Sequence, residues 1–180
     1  MQGTVGTSDS AALSGGSSSQ PGSSADESGQ PRGLRVDFYV LDESSAGARL
    51  KLACRLAEKA YLASQTALIW HTDFNELKEL DELLWTFMDG SFVPHEMLAA
   101  DSPAGECPVL LSAGTSPPAE VDIIINLAPD VPGCLSQTRR VAEIIDGDDA
   151  RRRAGRARFK AYRDLGIQPA SHNIRGDRGY

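Results

Sequence analysis

Between residues 151 and 166 the sequence reads RRRAGRARFKAYRDLG, with seven cationic side chains in sixteen positions. Arginine at this density suits the recognition of anions, because each guanidinium offers a planar fork of donors to phosphate or carboxylate oxygens. The whole chain carries a formal charge of −7, so the patch stands against an acidic background. Residues 1–138 hold seven Lys/Arg against nineteen Asp/Glu, a balance of −12, and residues 139–180 hold eleven against six, a balance of +5. A duplex-wrapping protein spreads its basic surface more widely, since each neutralised phosphate adds affinity. A single patch leaves three ligand classes: nucleic acid, an anionic small molecule, or an acidic segment of another protein.

Other residue types that could do chemistry are scattered. His71, His95 and His172 belong to no HxxxH or HExxH pattern, so no metal site is expected. Serine is abundant without a GxSxG elbow, and the acidic pair Glu79 and Glu82 suits the solvated face of a helix. After Val40 the chain reads LDESSAGARL, with one glycine and two acids where a dinucleotide fold needs Gly-rich backbone. Neither a nucleotide site, a cofactor nor a catalytic constellation is expected, and the chain reads as non-catalytic.

A second informative stretch is LDELLWTFMDGSFVPHEML. Trp85, Phe87, Phe92 and Met97 are large apolar groups beside a turn that contains Asp89, Gly90 and Pro94. Turns lie at surfaces, so these groups together suggest an apolar patch of the kind that binds a partner.

The elements that must position both features follow from periodicity. LRVDFYVL (34–41) alternates and is β-rich, which predicts a first strand. A helix follows with Leu50, Ala53, Cys54, Ala57, Ala60 and Tyr61 on one face and Ser45 as cap. TALIWH (66–71) reads as a buried parallel strand. The next helix carries Phe74, Leu77, Leu80, Leu84 and Trp85 on one face. Strands are expected at 108–114, 121–128 and 140–146, then the basic helix capped by Asp148 or Asp149. In that helix Ala154, Ala157, Ala161 and Leu165 phase together as the side facing the sheet, opposite Arg152, Arg156, Lys160 and Arg163, with Phe159 at the border. Strand, helix, strand, helix, then strands and a last helix predict an α/β fold, a single Rossmann-like domain with a largely parallel sheet flanked by helices and no nucleotide-binding loop.

Residues 1–34 are Ser-, Gly- and Pro-rich, hold almost no core-forming side chain, and are expected to be a disordered tail without the features of a secretory signal. The folded domain is expected over 35–174, with a short tail at 175–180. No run approaches eighteen apolar residues, so no membrane span is expected. Cys54, Cys107 and Cys134 make no paired framework and read as reduced thiols of a cytoplasmic protein.

Four stretches in this order and spacing, VDFYVLD (36–42), DELLWTFMDGSFVPHEML (81–98), DIIINL (122–127) and RARFKAYRDLG (156–166), resemble the chi subunit of bacterial DNA polymerase III holoenzyme. The resemblance covers residues 35–174. It implies a non-catalytic accessory of the clamp-loader complex, which docks the acidic C-terminal tail of single-stranded-DNA-binding protein and joins the clamp loader through the psi subunit or an equivalent partner. Carried over by position, the tail site comprises Ile145, Arg152, Arg156, Phe159, Lys160 and Arg163, with Arg156 the key cation. The psi-facing surface comprises Trp85, Phe92, Pro94 and His95. Nucleic acid is then met mainly indirectly. Two features depart from the family pattern: the long Ser/Gly-rich N-terminal stretch, and Phe159 where a Tyr would add a hydroxyl. The rival reading is a single-stranded nucleic-acid binder that uses the same helix on phosphates.

Overall fold

The structure is a computed structural model, and it describes residues 33–42, 44–98 and 107–174. The tails expected at 1–34 and 175–180 lie almost wholly outside those residues. Among the described residues seven strands are β1 (Arg35–Leu41), β2 (Ala67–Trp70), β3 (His95–Met97), β4 (Val109–Ser112), β5 (Ile123–Asn126), β6 (Arg140–Ile145) and β7 (Ala170–Ile174). Three α-helices among them are α1 (Ala46–Leu62), α2 (Phe74–Thr86) and α3 (Asp149–Asp164). The strands form one sheet in the order β3-β4-β2-β5-β6-β1-β7, and every pairing is parallel. This is the α/β Rossmann-like fold that the alternation of elements predicts.

Each expected element is present, with termini within two residues of those expected, and the sheet gains two edge strands that the sequence does not announce. β3 and β7 are only three and five residues long, and β7 (ASHNI) is mostly exposed. Neither has an apolar alternation of its own. Pairing to β4 and β1 makes them strands.

Strand alternation divides the core into two layers. On one face Leu41, Ile69, Leu111, Ile125 and Ile144 meet Leu50, Ala53, Cys54 and Ala57 of α1 and Leu77, Leu80 and Leu84 of α2. On the other, Val36, Phe38, Leu68, Ile124, Val141 and Ile145 meet Tyr162 of α3. The α1 stripe is as the periodicity predicts, with Tyr61 only partly buried. In α2 the stripe is narrower than expected: Phe74 and Trp85 are each 53% exposed. Burial pushes the Cys54 thiol up to about 12, and raises that of Cys134 as well, so neither is reactive at neutral pH.

The buried face of α3 differs from the expected one. Gly155, Arg158 and Tyr162 are buried and Phe159 packs against the same core, whereas Ala157 and Leu165 are exposed. Residues 155, 158, 159 and 162 have the i, i+3, i+4, i+7 spacing of a helix face. The alanine face loses because the sheet beneath α3 carries a buried carboxylate, Glu143, that needs cationic and hydroxyl partners. Arg158 and Tyr162 supply them.

Candidate functional site

β6 ends at Ile145, and Asp148 turns the chain into α3 by accepting hydrogen bonds from the backbone N–H groups of Ala150 (3.0 Å) and Arg151 (2.9 Å). These bonds, that to Arg151 foremost, hold the Asp148 carboxyl below the usual carboxylate range. α3 then runs back across the sheet at close range. A Cβ added at Gly155 would lie 2.1 Å from Ile145 Cδ1, so with glycine here the Ile145 side chain keeps its place against the helix.

A buried polar cluster fixes the helix in register. Glu143 accepts from Arg158 Nε (2.7 Å), from the Tyr162 hydroxyl (2.7 Å) and from Asn126 Nδ2 (3.0 Å to Oε1). Arg158 also donates to the Pro129 carbonyl at 2.8 Å. Burial pushes the Glu143 carboxyl up, while Arg158 opposes that rise most strongly. Donors from three side chains, one of them a guanidinium, offset part of the cost of burying it. The Tyr162 hydroxyl is pushed far above its ordinary range, by burial first and by Glu143 next. A lone glutamate in the apolar strand RVAEII is the sequence signal for this cluster, because a buried charge must be paired.

On the exposed side of this crossing lies an open groove of about 410 Å3. Its apolar lining is Phe38, Val40, Ile145 and Phe159; its cations are Arg152 and Arg156, with Asp42 as its one carboxylate; Ser171 and Asn173 of edge strand β7 close it. Phe159 is held by Phe38, with ring centroids 5.2 Å apart at 57°. The Arg152 Nε reaches the Asp146 carbonyl only at 3.4 Å, and the side chain of Arg156, which is exposed, makes no hydrogen bond or ion pair among the described residues. Four of the six residues expected in a tail site, Ile145, Arg152, Arg156 and Phe159, therefore share this groove. Lys160 and Arg163 do not line it, and Lys160 is paired with Asp164 at 2.7 Å, one turn along α3. Phe38, Val40, Ser171 and Asn173 were not foreseen, since they come together only when β1 and β7 pair.

The second expected surface is also gathered. The Trp85 ring lies 5.4 Å from Phe92 and 4.7 Å from His95, centroid to centroid. Phe92 is 61% exposed and Met88 is exposed beside it, while Pro94 is half-buried. His95 is the exception, being buried with Nδ1 at 2.6 Å from the Val93 carbonyl oxygen and Nε2 at 3.2 Å from that of Asp81. It braces the Trp85 ring from below rather than offering a free donor. Phe87, by contrast, packs against the core.

Among the described residues no group of His, Cys, Asp or Glu is placed to hold a metal ion, and no helix is long and apolar enough to cross a membrane. The arrangement presents two exposed features: a basic groove with an apolar floor on α3, and an aromatic patch at the end of α2.

The sequence model of the family described as DNA polymerase III chi subunit, HolC, matches residues 34–170. The chain belongs to that family. Among its chi relatives, the DNA polymerase III subunit chi of Pseudomonas aeruginosa is 38% identical over 140 residues, covering 78% of this chain and 96% of the relative. That of Escherichia coli is 30% identical over 135 residues, covering 72% and 91%. The Haemophilus influenzae chi subunit is 27% identical over 140 residues, covering 77% and 96%. The first 33 residues lie outside the chi match. Among solved structures, that described as the crystal structure of T4 UvsW superposes with a TM-score of 0.59 at 9% identity, covering 79% of this chain and 42% of that one. That likeness concerns the α/β fold alone. Membership of the chi family makes the chain a subunit of DNA polymerase III, and the resemblance carried by the four stretches of sequence is borne out.

Proposed function

We infer that this chi-family subunit is a non-catalytic accessory of the DNA polymerase III clamp-loader complex, working in the cytoplasm and bridging the holoenzyme to single-stranded-DNA-binding protein. The groove on α3 takes the acidic C-terminal tail of that protein, and the Trp85–Phe92 patch takes psi or an equivalent clamp-loader partner. The carrying observation is the pairing, in one groove, of two arginines without an ion-pair partner among the described residues with the apolar walls Phe38, Ile145 and Phe159. A peptide that ends in an apolar residue and a free carboxylate has both features. The carboxylate suits the fork of Arg156, and the side chain fits over Phe159 and Ile145, where burial stabilises by about 1.5–3 kcal/mol.

Direct binding of single-stranded DNA suits the same groove less well. Stacking platforms for bases need exposed ring faces, and Phe159 is half-buried with Phe38 packed against it. Several charges of the basic run are also taken up within the protein: Arg151 by Asp146, Arg158 by Glu143 and Lys160 by Asp164. Contact with nucleic acid is then mainly indirect. Titration of a labelled tail peptide, beside the same peptide without its terminal residue and beside single-stranded DNA at matched salt, tests the reading. Micromolar binding that needs the terminal residue is expected, near −8 kcal/mol. Tighter binding to the DNA than to the peptide would overturn it and leave the nucleic-acid reading in its place.

A further inference from the structure

A smaller cavity, about 230 Å3, opens at the carboxyl ends of β5 and β6, between the first turns of α1 and α3. Three arginines line it: Arg49 from α1, and Arg151 and Arg158 from α3. Each already holds one carboxylate, Arg49 that of Glu76, Arg151 that of Asp146 at 2.7 Å and Arg158 that of Glu143 at 2.7 Å. Arg49 is the unusual member. It is 2% exposed, donates Nη1 to the Leu127 carbonyl at 2.9 Å, and leaves its buried Nε without an acceptor among the described residues. Its carboxylate partner is divided, because the same oxygen of Glu76 lies 2.8 Å from His71 Nε2. Burial, with Arg151 adding, pulls the Arg49 guanidinium below its ordinary range, as expected of a cation with too few acceptors.

A buried N–H that lacks an acceptor carries a desolvation cost that a ligand oxygen would relieve. The first-turn amides of α3 contribute nothing here, since Asp148 already caps Ala150 and Arg151. What is left for a ligand is the guanidinium groups of two elements approaching from different directions, beside the Glu76 carboxylate and His71 ring that also line the cavity. One buried acceptor without a partner among the described residues, Asp146 Oδ2, would suit the proton of a hydrogen phosphate. That arrangement suits the spread oxygens of a tetrahedral oxyanion better than the two coplanar oxygens of a carboxylate. The volume falls below the roughly 300–1,000 Å3 of ordinary organic-ligand pockets. We propose that this cavity is a binding site for a phosphate group, free or at the end of a small molecule, held by Arg49, Arg151 and Arg158.

The site is separate from the α3 groove: the two cavities share no lining residue. Its test is therefore independent of peptide docking. The full chain is titrated calorimetrically with inorganic phosphate and with glycerol 3-phosphate, beside acetate and chloride at matched ionic strength. The two phosphates distinguish the free ion from a monoester. Saturable binding of at least one of them, absent for acetate and chloride, is expected. Arg151→Gln, at a half-buried position, should weaken it by about tenfold or more, the loss of one charge-assisted hydrogen bond. Arg49→Lys should do the same, and Arg153→Gln, on the exposed side of α3, should change nothing. If Arg49→Lys does not fold, Arg151→Gln decides. Failure of both phosphates to saturate, equal weakening by Arg153→Gln, or unchanged binding by Arg151→Gln would each overturn the proposal.

Discussion

Gly155 of α3 stands so close to Ile145 at the end of β6 that a methyl group on it would sit 2.1 Å from Ile145 Cδ1. The nearest backbone is not the obstacle; the clash is with the mobile end of an isoleucine, which can rotate. Rotation carries the δ-methyl away from its place in the groove wall. Gly155→Ala should therefore separate stability from binding. Alanine gains about 1 kcal/mol of helix propensity, and an off-rotamer Ile145 costs about 0.5–1.5 kcal/mol. The unfolding free energy should stay within about 1 kcal/mol of the parent by chemical denaturation, while affinity for the tail peptide falls. Unchanged peptide affinity would mean that Ile145 is not part of the wall.

The Glu143–Arg158 pair is a different kind of contact, because it is buried on both sides, at 0% and 5% side-chain exposure. Removing one partner leaves the other charged and unpaired, which costs about 3–5 kcal/mol. Arg158→Met and Glu143→Gln should each shift the denaturation midpoint strongly. The double variant should recover much of the loss, giving a large coupling energy in the cycle. Additive effects would show that the pair does not interact in the folded protein.

How much of this was legible in the sequence depends on where each feature gets its definition. α1 and the stripe of Leu77, Leu80 and Leu84 are defined by their own periodicity, and so were readable. β3 and β7 are defined by neighbours, and no local pattern in HEM or ASHNI marks them. The inward face of α3 was misread because alanine is small and apolar, whereas Arg158 is inward only by virtue of Glu143, fifteen residues earlier. The groove cations Arg152 and Arg156 were readable, as charges on the polar side of a helix. Phe38 and Asn173 were not, since they join the groove through strand pairing.

Phe92 gives the clearest test of the second surface. It is 61% exposed and touches the half-exposed Trp85, so truncation removes little core packing. Phe92→Ala should leave the melting temperature within a degree or two, in line with the small effects of surface substitutions. It should weaken a clamp-loader partner complex by about 2 kcal/mol or more if the ring is an anchor. Pull-down of clamp-loader subunits by parent and variant, with melting curves alongside, reads both. A variant that unfolds early and binds normally per folded molecule would place Phe92 in the core.

His71 predicts a pH dependence of stability. Its Nδ1 accepts from the backbone N–H groups of Thr72 (2.8 Å) and Asp73 (2.9 Å), which leaves the proton on Nε2 for Glu76. Burial, foremost, holds its folded pKa below the ordinary 6.5, though Glu76 opposes the shift. The unfolded chain therefore binds the proton first. The stability due to neutral His71 is fully present above about 6.5 and declines as pH falls from there towards the folded value, by at most about 1.4 kcal/mol per pH unit for one proton. Denaturation at pH 7.5 and 5.5 should show the decline, and His71→Gln should flatten it. A His71→Gln variant with the parent's slope would assign the proton elsewhere.

The cations of α3 should not contribute equally to peptide docking, although the sequence presents them as one stripe. Arg156 lines the groove without an ion-pair partner among the described residues, whereas Lys160 lies outside it and holds Asp164 at 2.7 Å. An exposed i, i+4 pair of that kind is worth only about 0.3–0.5 kcal/mol, so Lys160 could be freed at small cost but would still have to reach past Phe159. Arg156→Ala should lower tail-peptide affinity about tenfold or more, as the loss of a charge-assisted hydrogen bond requires. Arg156→Lys should recover part of it, because an ammonium keeps the charge but loses the paired donors. Lys160→Ala should cost less than about threefold, and that residue loss should shrink further at high salt, where exposed charges are screened. Equal losses for Arg156→Ala and Lys160→Ala at low salt would mean that the peptide reads the field of the whole stripe and not the geometry of the groove.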